Sequence, residues 1–546
     1  EGSRLELAKE AKRVYAFTLK ALHTAQQHGV NLSAYNHRLG YNLPHTVLPL
    51  AHYYMERSKN TLLLAHITQA EAKLKAQLPA AVSEKERELN KQLLLLSRLL
   101  EEEHNKTAPD ENKLNQWQQQ YFAHKMAYDE LLAQINQEYP HYSQLKQQYH
   151  IPTINHIQQA MPANMAMISY VTGKQLTFIF VVTHHNCTFT ATPLEQATKD
   201  AIKNFDFLIQ NDFDTEAYTQ AAHHLYQCLV EPALANIQAT KDVTSLLFLP
   251  DEKIAAIPFE ALLSHAPAKG GKFAELPYLI NRYDIGYHLS AALWYKDANA
   301  QTKQQSVMPA TQLGFAGFAP VYQNTQQTKP QPLPSNAVRS VKVGNTEFDE
   351  LIYSEQEVAG VEHFFRQKQQ PAQAYLHLEA NLSNFMQYAH RAKHLLISAH
   401  AHYNKKSPKL SAIIFSPDKP TDEQCSLLYM PDIYTLQLQN TDLLTLSCCD
   451  TGIGKQVAGE GVLGINRAFL YAGVKNIIYT LFKVYDYSSS QLSQKFYELL
   501  MQDDNAGKAY LEILSQAKRQ LIQEGKIAAP KHWSGFVLVG AGRVNL

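Results

Sequence analysis

The chain has 546 residues, which is enough for several buried cores and predicts about three to four domains. Lysine plus arginine equals aspartate plus glutamate at 50 each, so no net charge directs the chain toward nucleic acid or an anionic membrane. The five cysteines are few and odd in number. That usage is typical of a reducing compartment and not of a disulfide scaffold, so we expect a cytoplasmic protein.

The sequence also predicts no membrane segment and no secretory leader. Its longest apolar stretches, such as TFIFVV at 177–182, are much shorter than a bilayer requires. The chain does not begin with Met, and we expect it to be a trimmed piece of a longer protein.

Residues 1–150 have the composition of helices, being poor in Gly and rich in Gln, Leu, Ala, Glu and Lys. Ser83 and Glu86 form an S-x-x-E pattern that predicts a helix beginning at Ser83. Apolar residues at helical spacing then predict two long helices that pair in antiparallel fashion: Leu89, Leu93, Leu96 and Leu100, followed by Leu114, Trp117, Tyr121, Tyr128, Leu131 and Ile135. No clean repeat of about 34 residues is present, so a tetratricopeptide array is one interpretation among others.

After Pro152 the pattern changes to strands. MAMISYV and LTFIFVV flank a Gly-containing turn and predict a hairpin, and SLLFL at 245–249 predicts a buried strand. Helical stretches separate these strands, which indicates an α/β protein. Residues from about 297 to 346 are polar and Pro-rich around one short strand pattern, and predict a long exposed loop.

The last 200 residues alternate short apolar strands with helices, including helices at 354–368 and 461–472. This alternation predicts a mainly parallel sheet covered by helices on both faces. Functional groups gather at the carboxyl ends of the strands in such sheets. The strand pattern HLLISAHA reaches His400 and His402, and LLTLSC leads to Cys448 and Cys449.

Either cysteine is a possible nucleophile, but only a thiolate with a nearby imidazole reacts well. The structural alternative is that a strand-end cysteine is packed as a small hydrophobe. Successive strand side chains point to opposite faces, so the two cysteines cannot both serve. Cys448 continues the apolar run and should be packed, whereas Cys449 precedes the glycines of DTGIGK, which allow a turn that presents its thiol. By the same argument His400 is the better base and His402 is expected to be solvated.

These stretches resemble the CHAT domain, a caspase-like cysteine peptidase domain often joined to tetratricopeptide helices. The resemblance rests on LLISAHA, LLTLSCCDTGIGK, GEGVLGINRAFLYAGVKNIIYTLFKVYD and HWSGFVLVG, and upstream on LPDEKIAAIPFEALL. It implies a caspase-like α/β fold with three parts: TPR-like helices at 1–155, a pseudo-caspase half at 156–310 and a catalytic half at 311–546. It also implies control by a regulatory protein partner of the helical region, within a bacterial defence or cell-death system.

Carried over residue by residue, the family's motifs fall on Cys449 as nucleophile and His400 as base. The resemblance implies that the oxyanion is held by the backbone N–H groups of Cys449 and Ala401. Three positions depart from the family pattern, namely Ala401 for Gly, Cys448 for a small residue and Phe482 for Trp. A Cβ at Ala401 restricts the backbone if a positive φ is required there. The chain is therefore predicted to be a cysteine endopeptidase that cleaves a protein partner, and the alternative is a non-enzymatic helical scaffold with an inactive peptidase fold.

Three acidic residues in loops near the predicted site, Asp450, Glu460 and Asp486, suit a substrate with Lys or Arg before the cleaved bond. Asp450 and Glu460 can equally be framework that holds the loop. The polar segment 322–346 contains Lys329, Arg339 and Lys342, and we expect self-cleavage or regulated proteolysis there.

We expect no cofactor and no metal. GEGVLG at 459–464 matches a dinucleotide-binding pattern, but its glycines do not follow a strand directly and Glu460 would repel a pyrophosphate. The group His184, His185 and Cys187 lacks a second pair of metal ligands.

Overall fold

The computed structural model describes most of the chain. The described residues are 2–30, 32, 46–59, 63, 78–139, 151–211, 215–235, 237, 242–266, 271–301, 312–321, 340–343, 346–404, 406–419, 425–448, 455–457 and 461–540.

The N-terminal region is helical, as predicted. Its helices are α1 (Gly2–Gln27), α2 (Val47–Arg57), α3 (Ala80–His104) and α4 (Glu111–Glu138). Helices α3 and α4 pack together across a short connection, which confirms the predicted antiparallel pair. The predicted start at Ser83 is wrong, because α3 begins at Ala80 after Pro79, a residue that cannot continue a helix upstream. Among the residues that the structure describes, none of the helices has the length and apolar character of a membrane span.

The remaining described helices cover the sheet that follows. They are α5 (Ile154–Ala160), α6 (Gln196–Gln210), α7 (Thr215–Leu225), α8 (Glu231–Leu234), α9 (Ala291–Gln301), α10 (Ser354–Gln367), α11 (Leu382–Tyr388), α12 (Met430–Ile433), α13 (Ile465–Tyr471), α14 (Asp486–Leu500) and α15 (Tyr510–Glu524).

The described strands are distributed over one large sheet and three small ones. They are β1 (Met165–Thr172), β2 (Leu176–Thr183), β3 (Cys187–Pro193), β4 (Ser245–Leu249), β5 (Asp284–Tyr287), β6 (Leu313–Ala319), β7 (Ser340–Val343), β8 (Thr346–Asp349), β9 (Ala372–Leu376), β10 (Ala392–Ile397), β11 (His400–His402), β12 (Ala412–Phe415), β13 (Ser426–Tyr429), β14 (Leu443–Leu446), β15 (Lys455–Val457), β16 (Gly461–Leu463), β17 (Asn476–Thr480) and β18 (Phe536–Gly540).

The large sheet has the strand order β3-β2-β1-β4-β5-β18-β17-β14-β10-β6-β9. Its pairings are parallel except for β1 with β2, β2 with β3 and β17 with β18. Strands β4, β14 and β18 are buried along their whole length, as expected where helices cover both faces. The predicted α/β fold, with a mainly parallel sheet and an N-terminal helical region, is therefore confirmed.

The last strand joins the two predicted halves of the sheet. Strand β18 pairs in antiparallel fashion with β17 and in parallel fashion with β5. The segments 156–310 and 311–546, predicted as two halves of one domain, share one continuous sheet and one main hydrophobic core.

One predicted helix is shorter than expected. Gly461–Leu463 forms strand β16, which pairs with β15, and helix α13 begins only at Ile465. The glycines Gly461 and Gly464 explain the difference, because glycine is a poor helix former and Gly464 has an extended backbone.

Buried charges attach the N-terminal helices to the sheet. The Lys12 ammonium on α1 lies 2.7 Å from both carboxylate oxygens of Asp251, which follows β4. Lys59, just after α2, donates to Ser169 Oγ at 2.6 Å and to the carbonyl oxygen of Leu249 at 2.8 Å. Both lysines are almost fully buried, and burial lowers the pKa of Lys59 to about 8. These contacts make the helical region part of the same folded unit as the sheet.

We predict that Asp251→Ala strongly destabilises the protein, because it removes the carboxylate that faces the buried Lys12 cation. The expected loss in the free energy of unfolding is about 3–5 kcal/mol, measured by urea denaturation. The matched control is Lys125→Ala, which breaks an exposed ion pair with Asp129 on α4 and should cost no more than about 1 kcal/mol. Similar losses in both variants would show that the buried pair has no special role.

Candidate active site

The two strands that lead to the predicted base and nucleophile are parallel neighbours. Strand β10 pairs with β14 in a register that sets Ile397 opposite Leu446, the last residue of each strand. Because the carboxyl ends of parallel strands meet at one edge of a sheet, the segments that follow both strands leave the sheet at the same place. This confirms the strand arrangement on which the predicted pairing of His400 with Cys449 depends.

The sequence suggested that His400 ends β10, but the structure shows that it does not. Strand β10 stops at Ile397, and His400 begins the short strand β11 of a separate sheet with the order β11-β12-β13. In that sheet His400 is paired with Ile414 in antiparallel fashion. The small sheet therefore holds the histidine just beyond the edge of the large one.

The neighbour of His400 tolerates a side chain. Ala401 lies in the middle of β11 and is buried. Among the described residues other than glycine, only Gln369 and His377 have a positive φ. The Cβ of Ala401 therefore causes no backbone strain, and the replacement of the family's Gly does not distort this segment.

The His400 imidazole is held by the backbone of the neighbouring hairpin β7–β8. Its Nε2 hydrogen-bonds to the carbonyl oxygen of Asp349, and its ring packs against Phe348 with centroids 5.1 Å apart. A carbonyl oxygen can only accept, so Nε2 carries the proton and Nδ1 is the basic nitrogen of the neutral ring. Burial lowers the pKa of His400, with a smaller contribution from the Lys483 cation, while the Asp349 carbonyl opposes the shift. The ring is therefore neutral near pH 7 and able to accept a proton.

The first cysteine of the pair is packed, as the sequence predicted. Cys448 is fully buried, and its Sγ donates to the carbonyl oxygen of Ile397 at 3.3 Å. The carbonyl oxygen of Cys448 in turn accepts from Thr480 Oγ1 at 2.8 Å. These contacts fix the chain up to the residue before Cys449. Cys449, Asp450 and Glu460 themselves lie outside the described residues, so their roles stay predictions.

Two other side chains of the predicted site are described. Asp486 begins helix α14, and its Oδ2 accepts from the backbone N–H of Tyr353 at 2.8 Å, next to the start of α10. This contact gives Asp486 a structural role, and its predicted role in substrate binding remains a prediction. His402 was expected to be solvated, but it is half-buried and has its ring 6.1 Å from that of Phe348.

A buried carboxyl group that the sequence analysis missed lies beneath the two strand ends. Glu357 of α10 is fully buried, and its Oε2 accepts from Ser398 Oγ at 2.7 Å and from Ser447 Oγ at 3.0 Å. Ser398 follows β10 and Ser447 follows β14. The available signal was the position of Glu357 on the apolar face of its helix, in line with Val361 and Phe365.

Burial raises the pKa of Glu357 to about 7, although hydrogen bonds from the serines favour the charged form. The nearby carboxylate of Asp486 raises the pKa of Glu357 further. Within the described part of the chain, its second oxygen, Oε1, makes no hydrogen bond of ordinary geometry, although the Ser493 hydroxyl lies close enough to favour the charged form of Glu357. The hydrogen bonds of Glu357 thus offset only part of the cost of burying this carboxyl group.

Strands β10 and β14 of this α/β protein end at one edge of a mainly parallel sheet. His400 lies beside that edge, and so does Cys448, which precedes the predicted cysteine nucleophile. The CHAT domain model matches residues 219–541, which is more than half of the chain. The chain therefore belongs to the CHAT domain family.

Other similarities are more limited. Tetratricopeptide repeat protein 28 of Homo sapiens is 30% identical over 115 residues, which are 21% of this chain and 4% of that protein. The crystal structure of gingipain R, an Arg-specific cysteine proteinase, has a TM-score of 0.37 at 12% identity, covering 63% of this chain and 74% of the other. The Saccharomyces cerevisiae separase–securin complex has a TM-score of 0.39 at 9% identity, covering 73% and 32%. The chain spans only a small part of the curated relative that it matches.

We predict that the stability of the protein depends on pH through Glu357. Its pKa is about 7 in the folded state and 4.5 as the ordinary value, so the folded state binds the proton more tightly. The stabilisation from the neutral carboxyl is complete below pH ~4.5 and declines as the pH rises toward ~7. The total loss is on the order of 3 kcal/mol.

The test compares the free energy of unfolding of the wild type with that of Glu357→Gln, which cannot ionise, from pH 4.5 to 8. The wild type should lose stability relative to the variant across this range. A constant difference between the two proteins would show that Glu357 does not titrate in this way.

Proposed function

We propose that this chain is a cysteine endopeptidase that cleaves a protein substrate through a dyad of His400 and Cys449. The observation that supports the proposal most directly is the parallel pairing of β10 with β14. This pairing brings the segments that contain the two residues to the same edge of one sheet, although they are far apart in the sequence.

The orientation of His400 supports the role of a base. Its Nε2 is engaged by the Asp349 carbonyl, so Nδ1 is the nitrogen that can take a proton from a thiol. A backbone carbonyl here serves as the third group that orients the base, in place of a carboxylate side chain. The lowered pKa of His400 keeps the ring neutral before the reaction begins.

In the proposed reaction the Cys449 thiol gives its proton to Nδ1 of His400, and the sulfur attacks the carbonyl carbon of the scissile peptide. The tetrahedral oxyanion accepts hydrogen bonds from the backbone N–H groups of Cys449 and Ala401. The C–N bond then breaks as the imidazolium gives its proton to the leaving amine, which leaves an acyl-enzyme. Water, deprotonated by His400, hydrolyses the thioester and restores the thiol.

Substrate preference and self-processing belong to the same proposal. Asp450, Glu460 and Asp486 would favour Lys or Arg before the cleaved bond. Lys342 lies in strand β7, whereas Lys329 and Arg339 lie outside the described residues. Cleavage in the segment 322–346 therefore remains an expectation.

The contacts of helix α3 suggest how the helical region could control the site. Arg98 of α3 lies 2.7 Å from Asp432 Oδ2 and stacks over the ring of Tyr429, the last residue of β13. Asn105 Nδ2 donates to Ser407 Oγ at 3.0 Å, within the connection between β11 and β12. A partner that moves α3 would therefore act on the small sheet that contains His400.

We predict that a peptidyl electrophile with Arg at its reactive end labels Cys449 in preference to the other four cysteines. His400→Ala should reduce the labelling rate by about 100-fold or more, because the base is lost. His402→Ala is the matched control and should label at nearly the wild-type rate. The measurement is mass spectrometry of the labelled peptides. Uniform or absent labelling of the wild type would favour the alternative function, a non-enzymatic helical scaffold.

We also predict that Arg98→Ala lowers the labelling rate of Cys449 by about fivefold, at the low end of typical coupling between sites. The physical reason is that α3 loses its ion pair with Asp432 of α12 and its stacking on Tyr429 at the end of β13. Arg87→Ala removes an exposed arginine from the same helix and is the control. Equal rates for both variants would contradict control through this contact.

A further inference from the structure

The two functional strand ends share a single buried carboxylate oxygen. Ser398 and Ser447 both donate to Glu357 Oε2, and each serine lies two residues before a member of the proposed dyad. The three side chains are almost fully buried. Glu357 therefore links the chain segments of His400 and Cys449 through contacts that the backbone does not make.

The two serines that Glu357 links lie where the hydrogen-bond ladder of the large sheet ends. The backbone N–H of Ser398 donates to Phe318 and that of Ser447 donates to Ile397, both at 2.9 Å, where the ladder of the large sheet ends. Beyond these residues the first segment enters the small sheet at His400. The shared carboxylate cross-links the two segments at a point two residues before each of the two residues that must meet.

We propose that Glu357 is a positioning residue for the dyad, which sets the separation of the two strand ends and thereby the alignment of His400 with Cys449. This inference rests on the proposed peptidase function. Glu357 touches neither the substrate nor the reacting atoms in this proposal, and it acts through Ser398 and Ser447.

Stability alone does not explain a carboxyl group at this position. Glu357 shares its helix face with Val358, Val361 and Phe365, which are fully buried, so an apolar side chain would fit the pattern. A buried carboxyl group with one poorly hydrogen-bonded oxygen is costly, and apolar replacements of buried charged groups are often neutral or stabilising. The facing groups on α14 include Asp486, which disfavours ionisation of Glu357, and Tyr497, which stays neutral because burial raises its pKa. Neither supplies a compensating positive charge.

The test measures kinact and KI for labelling of Cys449 by the arginyl electrophile, together with the melting temperature. Glu357→Leu removes the acceptor, and kinact should fall about tenfold with little change in KI, because alignment is lost while binding is kept. Glu357→Gln keeps a carbonyl oxygen that both serines can reach, so its kinact should stay within about twofold of the wild type.

The double variant Ser398→Ala, Ser447→Ala removes the cross-link from the strand side, and it provides the test if Glu357→Leu fails to fold. Its kinact should also fall about tenfold. An unchanged kinact in folded variants, with wild-type Cys449 labelled normally, would overturn the positioning role and leave the peptidase proposal intact. A wild type that is not labelled at Cys449 would overturn both.

Discussion

The candidate site depends on the parallel pairing of two short strands, β10 and β14. Parallel strands require a long connection, and here that connection includes the sheet β11-β12-β13 and helix α12 before the chain returns at Leu443. The connection thus does more than lead the chain from one strand to the next. It forms the surface that carries His400 immediately beside the edge where β14 delivers the predicted nucleophile.

The direction of the strands also explains why the helical region reaches two sides of the sheet. Strands β4, β5 and β18 are parallel, but β18 is antiparallel to β17, so the carboxyl end of β4 lies on the opposite edge from that of β14. The buried pair of Lys12 and Asp251 fixes α1 at the first edge. Helix α3 contacts α12 beside the second edge, and its Arg98 stacks on Tyr429 at the end of β13. The same region is therefore anchored at one edge and touches the functional segment at the other.

Much of this fold could be predicted from the sequence, because apolar runs and turn residues mark most of the strands. The exceptions have physical reasons. The run HLLISAHA remains apolar while the chain passes from the large sheet to the small one at Ser398 and Ala399, so hydrophobicity does not show that β10 ends there. Glu357 was missed because its hydrogen-bond partners are two serines that are distant in the sequence. The choice of Cys448 as the packed cysteine succeeded because this residue continues the apolar run of β14, and such a run is visible in the local sequence.

The hairpin β7–β8 connects the polar segment to the base. Asp349, whose carbonyl oxygen orients His400, is the last residue of β8. Four residues later comes Tyr353, just before helix α10, and its backbone N–H donates to Asp486. A cut between residues 322 and 339 would leave Asp349 joined to α10 and held by these contacts. It would free only the end of the hairpin that begins at Ser340. The proposed cleavage at this position would therefore leave the orientation of the imidazole unchanged, because the Asp349 carbonyl that holds it stays in place.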